Sequence, residues 1–228
     1  MVYILSIETS TDKCSVAVHE NSQLKSIREI DEKGAHSEKL LALIEGVLND
    51  AGISSSGLNA VAVSKGPGSY TGLRIGVSTA KGLAFALGIP LIGVDTLQAL
   101  ALMGLKNVSG GELVAMLDAR RMEVYSEVFD GDLKLLRGLE SEIIDADSFS
   151  EYLEKGPVFF VGDANSKVKE VIKHENAYFP HIELSAESVG QLAYEKYQKS
   201  EFEDLAYFVP NYLKEFKALQ SKKNPLLP

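Results

Sequence analysis

The chain has 228 residues, 45% of them hydrophobic, with a formal net charge of −9 and a pI of about 5.0. That length supports one large domain or two small lobes. The acidic balance argues against a protein that grips nucleic acid by itself, because phosphate contacts need clustered cations. The one cysteine, Cys14, excludes an internal disulfide and fits a reducing compartment.

In chain order, Val2 to Glu8 reads as a buried strand. Cys14 to Glu20 and Gln23 to Ile30 follow as two more, joined at a turn at Asn21-Ser22. Over His36 to Ala51, apolar Leu40, Leu41, Leu43, Ile44, Val47 and Leu48 recur at helical spacing, and Gly52 stops the helix. Val61 to Ser64 is a strand, Thr71 to Leu87 a helix ended by Gly88, and Pro90 to Val94 a strand.

A second pass starts near Glu112. Leu113 to Asp118, Glu123 to Asp130 and Lys134 to Leu139 read as strands. Ser148 to Glu154 is a short helix, Val158 to Val161 a strand, Asn165 to Ile172 a helix and Ala186 to Lys199 an amphipathic helix. The same element order occurs twice without obvious sequence repetition. No basic leader precedes the first strand, and no apolar run reaches membrane-spanning length, so a cytoplasmic protein is expected.

Three features carry chemical information. Glu8-Thr9-Ser10-Thr11-Asp12 places an acid and small hydroxyls at a strand end, which suits either a phosphate and magnesium turn or a plain polar turn. Gly66-Pro67-Gly68-Ser69-Tyr70-Thr71-Gly72-Leu73-Arg74-Ile75-Gly76 joins a strand to a helix through a glycine loop. Gly72, Gly76 and Ala80 then form a small-residue stripe that either admits a partner helix or packs on the chain's own sheet. His19, His36, His174 and His181 are too scattered for metal-ligand spacing, and no serine elbow or Walker loop occurs. Basic clusters are limited to Arg120-Arg121 and to Lys214, Lys217, Lys222 and Lys223.

Ile7-Glu8-Thr9-Ser10, His36-Ser37-Glu38-Lys39-Leu40-Leu41 and the glycine-loop string together resemble the bacterial TsaB (YeaZ) family. The likeness continues through Ala80-Lys81-Gly82-Leu83-Ala84 and Pro90-Leu91-Ile92-Gly93-Val94, and is loose beyond about Glu140. It implies an α/β protein of the actin-like ATPase (ASKHA) fold with two βββαβα-type lobes, 1–108 and a reduced 109–228. It also implies a non-catalytic partner of TsaD in tRNA threonylcarbamoyladenosine modification, with TsaE in a ternary complex and a homodimer when alone. On that footing tRNA is met only through the complex, no membrane is involved and no cofactor is needed. The resemblance assigns the partner face to Tyr70, Thr71, Gly72, Leu73, Gly76, Thr79 and Ala80, and a nucleotide-proximal turn to Glu8, Thr9, Ser10 and Asp12.

Two departures from TsaD bear on catalysis. An acidic pair in TsaD is Asp12-Lys13 here, and the TsaD His-x-x-x-His metal pair falls on Thr96 and Leu100. No catalytic or metal-binding residue is therefore assigned. The alternatives are an independent nucleotide-dependent kinase or carbamoyltransferase of the same fold, and a metallopeptidase. The missing histidine pair weighs most against the metallopeptidase.

Overall fold

The computed structural model describes residues 1–32 and 34–213. Lys214, Lys217, Lys222 and Lys223, the second basic cluster, lie outside the described residues.

The first lobe opens with β1 (Tyr3–Glu8), β2 (Lys13–Glu20) and β3 (Gln23–Asp31), paired antiparallel in succession. Asn21 turns the β2–β3 hairpin with a left-handed φ of 56°. Helix α1 (His36–Ala51) crosses to β4 (Ala60–Ser64), which runs parallel to β1. Helix α2 (Tyr70–Leu87) crosses to β5 (Leu91–Val94), parallel to β4. Gly52 and Gly88 cap the two helices in the left-handed region, φ 69° and 65°. The sheet order is β3-β2-β1-β4-β5. β1, β4 and β5 are buried along nearly their whole lengths, as helices on both faces of a sheet require.

After α3 (Thr96–Leu105) the plan repeats. β6 (Glu112–Asp118), β7 (Glu123–Phe129) and β8 (Leu135–Ile143) pair antiparallel. α4 (Ser150–Leu153), β9 (Val158–Val161), α5 (Asn165–Val171) and β10 (Ala177–Tyr178) complete a sheet of order β10-β9-β6-β7-β8. That order is the first sheet's, strand for strand. The second lobe is reduced: α4 has 4 residues against 16 in α1, and α5 has 7 against 18 in α2.

Two helices interlock the lobes. α3 follows the first sheet but packs on the second, its Gly104 pressed against Leu113 of β6. α6 (Ala186–Gln198) follows the second sheet but packs on β1 and β2 of the first. The central core between the sheets joins Ile4, Ala62, Ile92, Leu97, Leu100, Leu113, Leu117, Val189 and Leu192. A second core lies under α1 and α2, and a third under α4 and α5.

The element at 96–105 has no counterpart in the reading of the sequence. Apart from Thr96 and Gln98 its residues are apolar or glycine, so no broad polar face marks its period.

Candidate functional site at the strand-one turn, the glycine loop and the cleft

The turn after β1 is sealed inside the molecule. Glu8 and Thr9 are fully buried, and Ser10 nearly so. Glu8 Oε1 accepts hydrogen bonds from the Ser10 backbone N–H (2.5 Å) and the Ser10 hydroxyl, and Oε2 accepts one from the Ser64 hydroxyl. Burial pushes the Glu8 carboxyl above its usual range, against the pull of those three bonds. Both oxygens are therefore engaged within the lobe.

The glycine loop closes over this turn. The Thr9 hydroxyl donates to the Gly72 carbonyl at 2.8 Å. A Cβ at Gly72 would collide with the Thr9 carbonyl oxygen, and one at Gly76 with the Thr9 hydroxyl. A Cβ at Gly68 would stand 2.6 Å from both the Ser10 Cβ and the Ser10 carbonyl. The loop glycines thus permit close approach of backbone to backbone within one chain. Of the seven residues expected at a partner face, Gly72, Leu73, Gly76 and Ala80 are buried inside their own lobe. Of the remaining three, Tyr70 and Thr79 are half-buried and Thr71 is exposed.

Residues 203–213 form a strap that the sequence reading did not foresee. The Glu203 N–H donates to the Leu91 carbonyl at 2.9 Å, covering the open edge of β5. Lys81 Nζ donates to the Phe208 carbonyl at 2.8 Å, and the Asn211 N–H to the Lys65 carbonyl at 2.6 Å. Tyr212 ends the strap on Tyr70, ring centroids 4.9 Å apart. The Arg74 guanidinium sits 4.1 Å from the Tyr70 ring, and its Nε donates to the Tyr212 hydroxyl at 3.1 Å.

What α1, α2 and the strap turn outward is apolar in places. Leu41 is 66% exposed, Phe85 79%, Tyr207 83% and Val209 67%. On α2, Thr71, Arg74, Ser78, Gly82 and Phe85 mark the outward side.

Between the lobes lies a cleft of about 320 Å³. Thr11, Asp12 and Lys13 line it from the first lobe, and Gly162, Asp163, Asn165 and Ser166 from the second. Leu100 and Leu117 form its apolar part. Gly162 takes φ 119°, and a Cβ there would collide with the Met116 carbonyl. The Asp118 N–H donates to Asp163 Oδ1 at 2.8 Å. Burial raises the Asp163 carboxyl, with the charges of Asp118 and Asp12 adding to the rise. Lys13 lies 2.9 Å from Glu29 and 3.4 Å from Glu183. Burial opposes its charge, but those ion pairs override it and push the ammonium pKa up. With Asp31 and Glu183 also on the wall, the cleft is acidic and its lysine is already engaged. Thr96 and Leu100, at the positions of the TsaD histidines, are both fully buried; the Thr96 hydroxyl accepts the Gly66 N–H at 3.1 Å.

Two sheets of identical order, interlocked by exchanged helices around a cleft, define a protein of the actin-like ATPase fold class. The activator of the 2-hydroxyisocaproyl-CoA dehydratase from Clostridium difficile shares the fold at TM-score 0.51 and 10% identity, over 88% of this chain and 97% of that one. YeaZ from Pseudomonas aeruginosa superposes at TM-score 0.82 with 26% identity, covering 93% of this chain and all of that one. The tRNA threonylcarbamoyladenosine biosynthesis protein TsaB of Bacillus subtilis is 32% identical over 230 residues, 96% of this chain and 99% of that protein. TsaB of Escherichia coli is 34% identical over 142 residues, a match that spans 62% of this chain and 61% of that relative's length. A family model described as TsaD, tRNA N6-adenosine threonylcarbamoyltransferase, matches residues 30–223. The chain belongs to the TsaB (YeaZ) family.

Proposed function

We propose that the chain is a non-catalytic partner of TsaD in making tRNA threonylcarbamoyladenosine, the modification named in its relatives. The observation that carries this reading is Glu8, whose two carboxylate oxygens are both taken by Ser10 and Ser64 inside the first lobe. An acid enclosed in this way does not serve a metal or a phosphate. Lys13, held by Glu29 and Glu183, supports the same reading. TsaD performs the transfer, and TsaE joins the assembly. Alone, the chain pairs with itself, and it works in the cytoplasm as lobes divided at about 108 and 109.

The partner face is the outward side of α1 and α2, with Leu41, Thr71, Ser78 and Phe85 at its surface, rather than the small-residue stripe beneath. The cleft keeps one competing reading in play: a nucleotide-dependent enzyme using Asp12 and Asp163. Calorimetry with ATP and magnesium on the isolated chain separates the two. The scaffold reading expects no heat of binding at micromolar protein, together with co-purification of TsaD. Tight, magnesium-dependent ATP binding without TsaD favours the enzyme.

A further inference from the structure

The chain carries five arginines. Arg28 is paired with Asp50, Arg137 with Glu142, and Arg74 rests on Tyr70 and Tyr212. Arg120 and Arg121 stand apart: both are exposed, and among the described residues neither guanidinium has an ion pair. They form the tip of the β6–β7 hairpin in a protein of net charge −9.

The tip is built to hold them there. Both residues have left-handed backbones, φ 75° and 54°, a conformation that favours asparagine or glycine over arginine. Their places are fixed from below. The Arg120 N–H donates to Asp118 Oδ1 at 2.6 Å. Lys167 Nζ donates to the same carboxylate at 2.6 Å, to the Arg121 carbonyl at 2.9 Å and to the Glu123 carbonyl at 2.6 Å. The lysine therefore spends its charge on the support, and the two guanidiniums keep theirs for solvent. Asp118 also links the tip to the cleft wall through its N–H bond to Asp163.

We propose that the Arg120–Arg121 tip is a phosphate contact for RNA, used when the chain sits in its assembly. The inference rests on the functional reading above. A guanidinium fork matches a phosphate with two parallel hydrogen bonds. Two forks at adjacent residues suit successive anions along one strand, which a phosphodiester backbone offers at every step. The chain as a whole carries a net charge of −9, so a rigid pair of adjacent guanidiniums offers RNA a local point of attachment. An asparagine-glycine tip would relieve the backbone, so the arginines answer to something other than the turn.

The test is Arg120→Asn/Arg121→Gly in complex with TsaD, probed with an unmodified tRNA transcript over a salt series. The variant is expected to melt at or above the wild-type temperature and to pair with TsaD normally. Its tRNA affinity is expected to fall roughly tenfold, and the log–log salt slope to become shallower by about 1.5, the loss of two phosphate contacts. Arg120→Gln/Arg121→Gln, which removes both charges but keeps a polar side chain at each position, is expected to give the same slope change. Unchanged affinity and slope in a complex that still forms would overturn the inference. So would loss of pairing with TsaD, which would place the tip in a protein interface. If wild-type protein fails to join TsaD at all, the functional reading falls first, and this inference with it.

Discussion

Gly76 of α2 rests on Thr9 at the end of β1, so closely that any Cβ at 76 would run into the Thr9 hydroxyl. That hydroxyl is already engaged with the Gly72 carbonyl one turn away. The helix after the glycine loop is therefore locked onto the strand-one turn by two glycines and one threonine. Gly76→Leu is expected to destabilise the isolated chain by about 3 kcal/mol or more, since overpacking a tight contact costs about 1–3 kcal/mol before strain on the hydrogen bond is added. Gly76→Ala and Thr9→Ala are expected to couple, because the second change removes the atom that the first strikes. Urea unfolding of the double-mutant cycle reads this directly; strictly additive costs would mean that the two residues do not touch.

The outward face is expected to behave in the opposite way. Phe85→Asp is expected to leave stability within about 0.5 kcal/mol, as substitutions on an open surface do. Pairing with TsaD should fall by tenfold or more. A pull-down and a melting curve on the same preparation check both halves. Full retention of pairing by Phe85→Asp combined with Leu41→Asp would remove the outward side of α1 and α2 from the interface.

His19 lies on β2, fully buried beneath Gly190 of α6, whose Cβ, if present, would also come 2.7 Å from the Ser6 hydroxyl. Burial lowers its pKa from 6.5 to about 4, against the opposing charge of Glu187. The folded state prefers the neutral ring, and the unfolded chain takes up the proton first. Stability contributed by neutral His19 is present above pH 6.5, declines as pH falls towards about 4, and is flat below it. The gap corresponds to about 3 kcal/mol. The difference in unfolding free energy between wild type and His19→Asn is expected to shrink across that window. A constant difference from pH 7 to pH 4 would show that His19 does not titrate this way.

The strap is expected to be worth a measurable amount. Tyr212→Ala removes a ring contact with Tyr70, a cation–π partner of Arg74 and a hydrogen bond to it. Together these amount to about 1–2 kcal/mol, and the melting temperature should drop by about 2–8 °C. Tyr70 should become reactive to tetranitromethane in the variant and stay protected in the wild type. Equal reactivity in the two proteins would mean that the strap does not cover it.

Much of the fold was legible because its signals are local. His36 to Ala51 has a strong apolar period and a glycine that only a left-handed cap explains, and α1 spans those residues. β8 runs to Ile143, past the Leu139 read from sequence, because an exposed antiparallel ribbon shows no clean alternation. α3 and the strap escaped for the reason that tertiary cover, not periodicity, defines them. The small stripe meets Thr9 within its own lobe, a contact that the sequence did not reveal. Glycine fits a partner helix and a tight intramolecular contact equally well. One clue was present: Gly72 adjoins Leu73 and Gly76 adjoins Val77, apolar residues only about 100° away around the helix that are buried in the lobe. Thr9, 63 residues before Gly72, is the partner that no local pattern could supply.

The central claim is that this chain supports a transfer it does not perform. Threonylcarbamoyl incorporation into an unmodified tRNA transcript, measured with this chain alone, with TsaD and TsaE alone, and with all three, tests it most directly. The account predicts no product from the chain by itself and a rate at least tenfold higher when it joins the other two. Product formed by this chain with TsaD rigorously absent, or an unchanged rate on its addition, would contradict it.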